Sequence, residues 1–203
     1  MKLLTIIDSG SGNLHSVQQS VCRAANEQKE EWLIKRSSNP KEVSKADYII
    51  MPGVGNFAEC KKNLSEITDM EQVLEIQVQQ RAVPFLGICV GMQLMATTGF
   101  EGKQVSGLNW IEGKVLPLNP EPKKVYKIPH MGWNKIMVHN TNHSLSAKFV
   151  NDLFYYFVHS YHFVPENADD CLAYSDYGQK VTAIIAKDNK IGTQFHPEKS
   201  QKT

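Results

Sequence analysis

The sequence predicts an α/β fold: a mostly parallel central sheet flanked by helices, with extra antiparallel strands in the second half. Three observations predict it. From Leu3 to about Ala96, short apolar runs alternate with helix-length amphipathic stretches, the pattern of a parallel sheet covered on both faces. After Phe100, turn residues become frequent and β-rich runs crowd together, which predicts antiparallel pairing. No linker, low-complexity tract or internal repeat divides the halves, so the 203 residues are read as one domain, 1–203.

Leu3 to Asp8 is an apolar run ending in an acid, a first buried strand. Ser9 to Asn13 is a loop. Its Gly10-Ser11-Gly12 lacks a dinucleotide fingerprint, because His15 stands at the third glycine and no acid closes the next strand. Leu14 to Gln28 is a helix with Leu14, Val17, Val21 and Ala24 on one face. Glu31 to Arg36 is a strand, and Pro40 to Ala46 one or two helical turns. Asp47 to Met51 is a third strand that runs into Pro52-Gly53-Val54-Gly55. Phe57 to Arg81 is helical, with a break near Thr68. The later β-rich runs are Trp110–Leu118, Tyr126–Val138, Leu153–Val164, Cys171–Tyr174, Val181–Ala186 and Lys190–Phe195, with Asp188-Asn189 as a hairpin turn.

Between the halves, Val83 to Leu86 is a buried strand that passes through Gly87-Ile88-Cys89-Val90-Gly91 into the helix formers Met92 to Ala96. Strand, sharp turn and helix are the setting of a nucleophile elbow. The flanking glycines let the helix approach the strand, and a helix N-terminus at Cys89 favours thiolate. The alternative is a buried core cysteine with two incidental glycines.

The net charge of +1 argues against a general nucleic-acid binder or an electrostatic membrane clamp. The N-terminus is too short and too soon acidic for a signal peptide. Ala82 to Phe100 is uncharged, but Pro84, its glycines and Gln93 make a poor membrane span. Cys22, Cys60, Cys89 and Cys171 are scattered, which fits free thiols in a reducing cytoplasm and no metal finger. His159 and His162 form H-x-x-H. Read within one strand they point to opposite faces, so no metal site is expected there.

Near the end stands Gly192-Thr193-Gln194-Phe195-His196-Pro197-Glu198. His196 follows a strand, and a carboxylate two residues on can hold one ring nitrogen while the other faces a thiol. Strand ends at Gly53, Cys89 and His196 can meet at one edge of a parallel sheet. Taken alone, H-P-E is equally well a surface turn.

These segments resemble the class I (triad) glutamine amidotransferases, and within them the glutaminase subunit of imidazole glycerol phosphate synthase. Five regions carry the likeness: Ile6 to Leu14; Met51-Pro52-Gly53-Val54-Gly55; Leu86 to Gln93; Ile128-Pro129-His130-Met131-Gly132-Trp133-Asn134; and Phe157 to Tyr161 with Gln194 to Ser200. The resemblance implies a flavodoxin-like, class I glutamine amidotransferase-like fold and a glutaminase that needs no cofactor. It implies Cys89 as nucleophile, His196 as base and then acid, and Glu198 as orienting carboxylate. Backbone N–H groups of Val90 and of Gly53-Val54 would form the oxyanion hole. Gly55, Gln93, Glu101, Ser160 and Tyr161 would bind L-glutamine. The implied partner is a (β/α)8-barrel cyclase that uses the ammonia. Asn13, Pro129, Met131, Trp133 and Lys199 match interface positions. An exposed Trp133 suits that role; a core tryptophan is the alternative. Gly53 and Gly55 would let the P-G-V-G peptide turn over when partner and nucleotide bind.

The chain departs from the family at Ser9, where tyrosine is usual, and at Thr203, beyond which family members continue into a terminal helix. That leads us to expect altered packing near His196. Rival readings are a paralogue feeding ammonia to another synthase, such as a surface-sugar-modifying enzyme, a non-catalytic regulatory subunit, and a cysteine peptidase or DJ-1-like thiol protein. The intact Cys89, His196 and Glu198 speak against the regulatory subunit, and P-H-M-G-W-N against the peptidase and thiol protein.

Overall fold

A computed structural model describes residues 1–28, 31–140, 145 and 153–200. The elements run β1 (Lys2–Ile7), α1 (Leu14–Glu27), β2 (Trp32–Ser37), α2 (Pro40–Val43), β3 (Tyr48–Gly53), α3 (Phe57–Glu66) and α4 (Met70–Leu74), the last continued by a π-helix, Glu75–Gln80. Then come β4 (Phe85–Cys89), α5 (Val90–Gln93), β5 (Thr98–Gly99), β6 (Val105–Ser106), β7 (Gly113–Pro117), β8 (His130–Lys135) and β9 (Met137–Val138). The chain closes with β10 (Phe154–His159), β11 (Tyr161–Pro165), β12 (Cys171–Asp176), β13 (Lys180–Lys187) and β14 (Lys190–Thr193).

The main sheet has eight strands in the order β2-β1-β3-β4-β14-β13-β12-β9. From β2 to β14 the pairs are parallel, and beyond β14 they are antiparallel. A four-stranded sheet, β11-β7-β5-β6, and a two-stranded one, β10-β8, complete the β structure. The expected fold class is therefore observed. β3, β4 and β14 are neighbours, with Gly53 opposite Cys89 and Thr193 opposite Ile88. Their carboxyl ends meet although the residues are widely separated in sequence.

Apolar side chains of β1, β3 and β4 pack with those of α1 to α4 in one core. Ile136, Tyr155, Phe157, Phe195 and the β12–β13 face form another. Asn13 and Asn56 cap α1 and α3 by accepting from Ser16 N and from Ala58 and Glu59 N. The β13–β14 hairpin turns at Asp188-Asn189 as expected, Lys187 pairing with Lys190.

The helical stretch after Phe57 breaks at Ile67–Asp69, near Thr68 as expected, where Asp69 has φ +65°, and it ends in π geometry. Three expectations need correction. Trp110 lies outside a strand; it packs edge-on against Phe85 at 4.9 Å and gives its indole N–H to Glu75, so the strand begins at Gly113. The run from Tyr126 becomes strand only at His130. Leu153–Val164 is two strands in different sheets, parted at Ser160.

Candidate active site

The chain turns abruptly at Cys89, whose φ of +54° and ψ of −110° are unusual for a residue with a side chain. Close packing enforces the turn. A Cβ on Gly91 would lie 1.8 Å from the Met51 carbonyl oxygen, and one on Gly87 2.6 Å from the Gly91 oxygen. Both flanking glycines are thus required by β3 and by the elbow itself. The helix that follows is shorter than expected. Only Val90–Gln93 is α-helical; Leu94 caps it by donating to the Val90 carbonyl, and Met95 and Ala96 close in tighter turns. So short a helix lends little dipole, and the nearest full charge available to the sulfur is on His196.

His196 follows β14 through Gln194-Phe195. Phe195 is anchored against Tyr155 at 4.2 Å, and the His196 N–H donates to the Tyr156 carbonyl. His196 Nδ1 lies 2.8 Å from Glu198 Oε1, with side chains 2% and 3% exposed. A surface turn would leave both in water, so that alternative fails. Burial opposes charging the ring, but the Cys89 sulfur and the Glu198 carboxylate outweigh it and hold the pKa up at about 9. Nε2 is buried without a well-aligned hydrogen bond, so the sulfur acts on the ring at loose geometry, as is common before substrate binds.

Cys89 and His196 share a cavity of about 260 Å³ with Val54, Gly55, Val90, Gln93, Glu101, Pro129, Ser160 and Tyr161. Every residue expected to bind glutamine lines it. Of the expected oxyanion donors, Val90 and Val54 line it, and Gly53 pairs with Cys89 at its edge. Glu101 accepts from Phe57 N at 2.6 Å, so one of its oxygens caps α3. Among the described residues no group of three or more His, Cys, Asp and Glu could hold a metal. The H-x-x-H pair is split by the strand break at Ser160: His159 meets His130 and His162 meets Gln179. No helix among the described residues is long and apolar enough to cross a membrane.

A model of the class I glutamine amidotransferases matches residues 5–203. This chain belongs to the class I glutamine amidotransferase family. The amidotransferase is 47% identical to the imidazole glycerol phosphate synthase subunit HisH of Rhodopseudomonas palustris, covering 98% of this chain and 93% of that one. It is 46% identical to the HisH subunit of Zymomonas mobilis, over 98% and 89%. These relatives place the amidotransferase in the HisH group. In fold it is similar to a glutamine amidotransferase from Thermotoga maritima, with a TM-score of 0.66, 18% identity, and 97% and 76% of the two chains covered.

The expected partner-facing residues of the amidotransferase fall in two places. Met131 and Trp133, 65% and 46% exposed, project from β8, so Trp133 is not a core residue. Asn13 and Lys199 line a second cavity with Gly10, Gly12, Val54 and Cys60. Val54 lines both cavities, and Pro129 lines the first.

Sequence reasoning did not foresee a polar chain that runs from the cavity wall through His159 to His130. The Tyr161 carbonyl accepts from Gln93 Nε2 at 3.0 Å and lies 2.9 Å from His159 Nδ1. His159 Nε2 lies 3.1 Å from His130 Nδ1. Burial keeps His130 neutral with a pKa of about 4, and burial together with His130 puts His159 at about 3. Polar residues inside the β-rich runs were the available signal; which of them meet was not.

Proposed function

We propose that the chain is a glutaminase that releases ammonia from L-glutamine for a (β/α)8-barrel cyclase, acting as a single amidotransferase domain in the cytoplasm. The observation that carries this is the convergence of Cys89 and His196, from two adjacent strand ends, on one cavity lined by Gln93, Glu101, Ser160 and Tyr161, with Glu198 held on His196 Nδ1. The charged imidazole faces the sulfur and stabilises negative charge there. The sulfur attacks the side-chain amide carbon of glutamine. Backbone N–H groups of Val90 and of the Gly53-Val54 segment hold the oxygen that gains charge. The C–N bond breaks as His196 passes a proton to the leaving ammonia. His196 then takes a proton from water, which attacks the thioester; the C–S bond breaks and glutamate leaves. Glu198 holds the ring orientation throughout. The Glu101 carboxylate suits the α-amino group, and backbone near Ser160-Tyr161 the α-carboxylate.

The names of the HisH relatives support imidazole glycerol phosphate synthase as the complete enzyme. In it the cyclase would combine ammonia with a phosphoribulosyl formimino aminoimidazole carboxamide nucleotide, giving imidazole glycerol phosphate and an aminoimidazole carboxamide ribotide. Met131, Trp133, Asn13, Pro129 and Lys199 would meet the cyclase, and binding would complete the oxyanion hole through the P-G-V-G peptide. The test is glutaminase and synthase activity with and without the cyclase subunit. Cys89→Ala should abolish glutamine use and leave ammonia-dependent synthesis by the complex intact. Glutamine hydrolysis surviving in Cys89→Ala refutes the role of the sulfur, and full glutaminase activity in the isolated subunit refutes the turning peptide.

A further inference from the structure

Gln194 is wholly buried, yet it does not line the cavity. Its Nε2 stands 3.7 Å from Cys89 Sγ, and its Oε1 accepts from Gln93 Nε2 at 3.1 Å. The orientation of both amides follows from one backbone group. The Tyr161 carbonyl can only accept, so Gln93 must turn its NH2 toward it. The second hydrogen of that NH2 then needs an acceptor, which Gln194 Oε1 supplies. This leaves the Gln194 NH2 no direction but the sulfur. Cys89 is thereby faced by an amide donor on one side and by the His196 ring on the other. A sulfur met by donors is best satisfied as an acceptor, and most so when it carries charge.

We propose that Gln194 is a positioning residue: its amide holds the Cys89 sulfur in line with His196 and stabilises negative charge on it. The proposal rests on the reading of Cys89 as the nucleophile. The other titratable groups that line the cavity with Cys89 are His196, Glu101, His159 and Tyr161, with Glu198 held on His196 and Cys60 from α3 acting on the sulfur electrostatically. The variants leave all six in place.

The test is the iodoacetamide alkylation rate of Cys89 in the full chain as a function of pH, read by peptide mass spectrometry. Gln194→Met keeps the length and removes both the donor to the sulfur and the acceptor for Gln93; Gln194→Glu keeps the shape and the acceptor for Gln93 and replaces the donor with a second acceptor. A hydrogen bond to a charged group leads us to expect Gln194→Met to slow alkylation by roughly tenfold or more on the acid limb of the profile. Gln194→Glu should slow it further. In the complex, kcat should fall about as much in both variants; KM for glutamine should stay within about twofold in Gln194→Glu, which keeps the acceptor for the cavity-lining Gln93. If the variants do not fold, the unaltered chain still decides. The Gln194 side-chain NH2 resonance should titrate with the sulfur and lose that titration in Cys89→Ala. A wild-type alkylation profile in folded Gln194→Met, or an NH2 resonance indifferent to Cys89, overturns the proposal. Glutamine hydrolysis surviving in Cys89→Ala would instead overturn the nucleophile assignment beneath it.

Discussion

The buried histidines should give the folded chain a stability maximum near pH 6.5, with a different ring responsible for each limb. On the alkaline side the ring is His196. Its folded pKa is about 9 against the usual 6.5, so between those values the folded state keeps a proton that the unfolded chain has released. The stability it contributes is fully present below pH 6.5 and is lost as pH rises toward 9. The part of this held by the Cys89 sulfur is offset by the proton that the sulfur gives up, so the net loss between pH 6.5 and 8.5 is the part held by Glu198, at most ~2–3 kcal/mol at ~1.4 kcal/mol per pH unit. The acid limb has the opposite sign. His159 is buried neutral with a pKa of about 3, so below pH 6.5 the unfolded chain takes up a proton that the folded chain refuses. Falling from pH 6.5 to 5 therefore costs ~2 kcal/mol from this ring alone. His130 and His162, each lowered to about 4 by burial, act in the same direction.

The assay is urea unfolding of the full chain at half-unit steps from pH 5 to 8.5. The range stops at pH 8.5, where the unfolded thiols of Cys60 and Cys171 begin to ionise while burial keeps the folded ones protonated. Glu198→Gln, which removes the carboxylate that holds the His196 proton, should flatten the alkaline limb and leave the acid limb unchanged. Stability that is level or rising between pH 6.5 and 8.5 in the unaltered chain would refute the reasoning. So would an alkaline slope indifferent to Glu198→Gln.

Gly91→Ala should destabilise the chain by ~3 kcal/mol or more, since its Cβ would stand 1.8 Å from the Met51 oxygen; a loss below ~1 kcal/mol in the same urea assay contradicts the packing argument. Gly102→Ala is the comparison: it has positive φ but nothing within 4 Å, so only the backbone cost of ~1 kcal/mol is expected there. Glu198→Gln should lower glutaminase kcat by on the order of 10²–10⁴-fold, because an amide can donate to Nδ1 and select the wrong tautomer; a loss under tenfold in steady-state assays would remove Glu198 from its orienting role. Trp133→Ala should weaken cyclase binding by roughly thirtyfold or more in calorimetric titration. The isolated chain should melt within a few degrees of wild type, because the indole is 46% exposed.

Much of this protein was already determined by its residues in order. Alternating apolar runs and amphipathic stretches dictated the parallel half, because periodicity along the chain is a local property. Gly87, Cys89 and Gly91 announced the elbow, and His196-Pro197-Glu198 announced an imidazole with its carboxylate, because each motif lies within a few residues. What tertiary structure alone decided depends on contacts between distant segments. It made β14 the neighbour of β4, and so brought an imidazole to a sulfur more than a hundred residues away. It broke the Leu153–Val164 run at Ser160, sending its halves to different sheets. It turned the Tyr161 carbonyl onto Gln93 and, through Gln93 and Gln194, aimed an amide at Cys89. A carbonyl's direction is settled by the sheet in which its strand ends, and no stretch of local sequence encodes that.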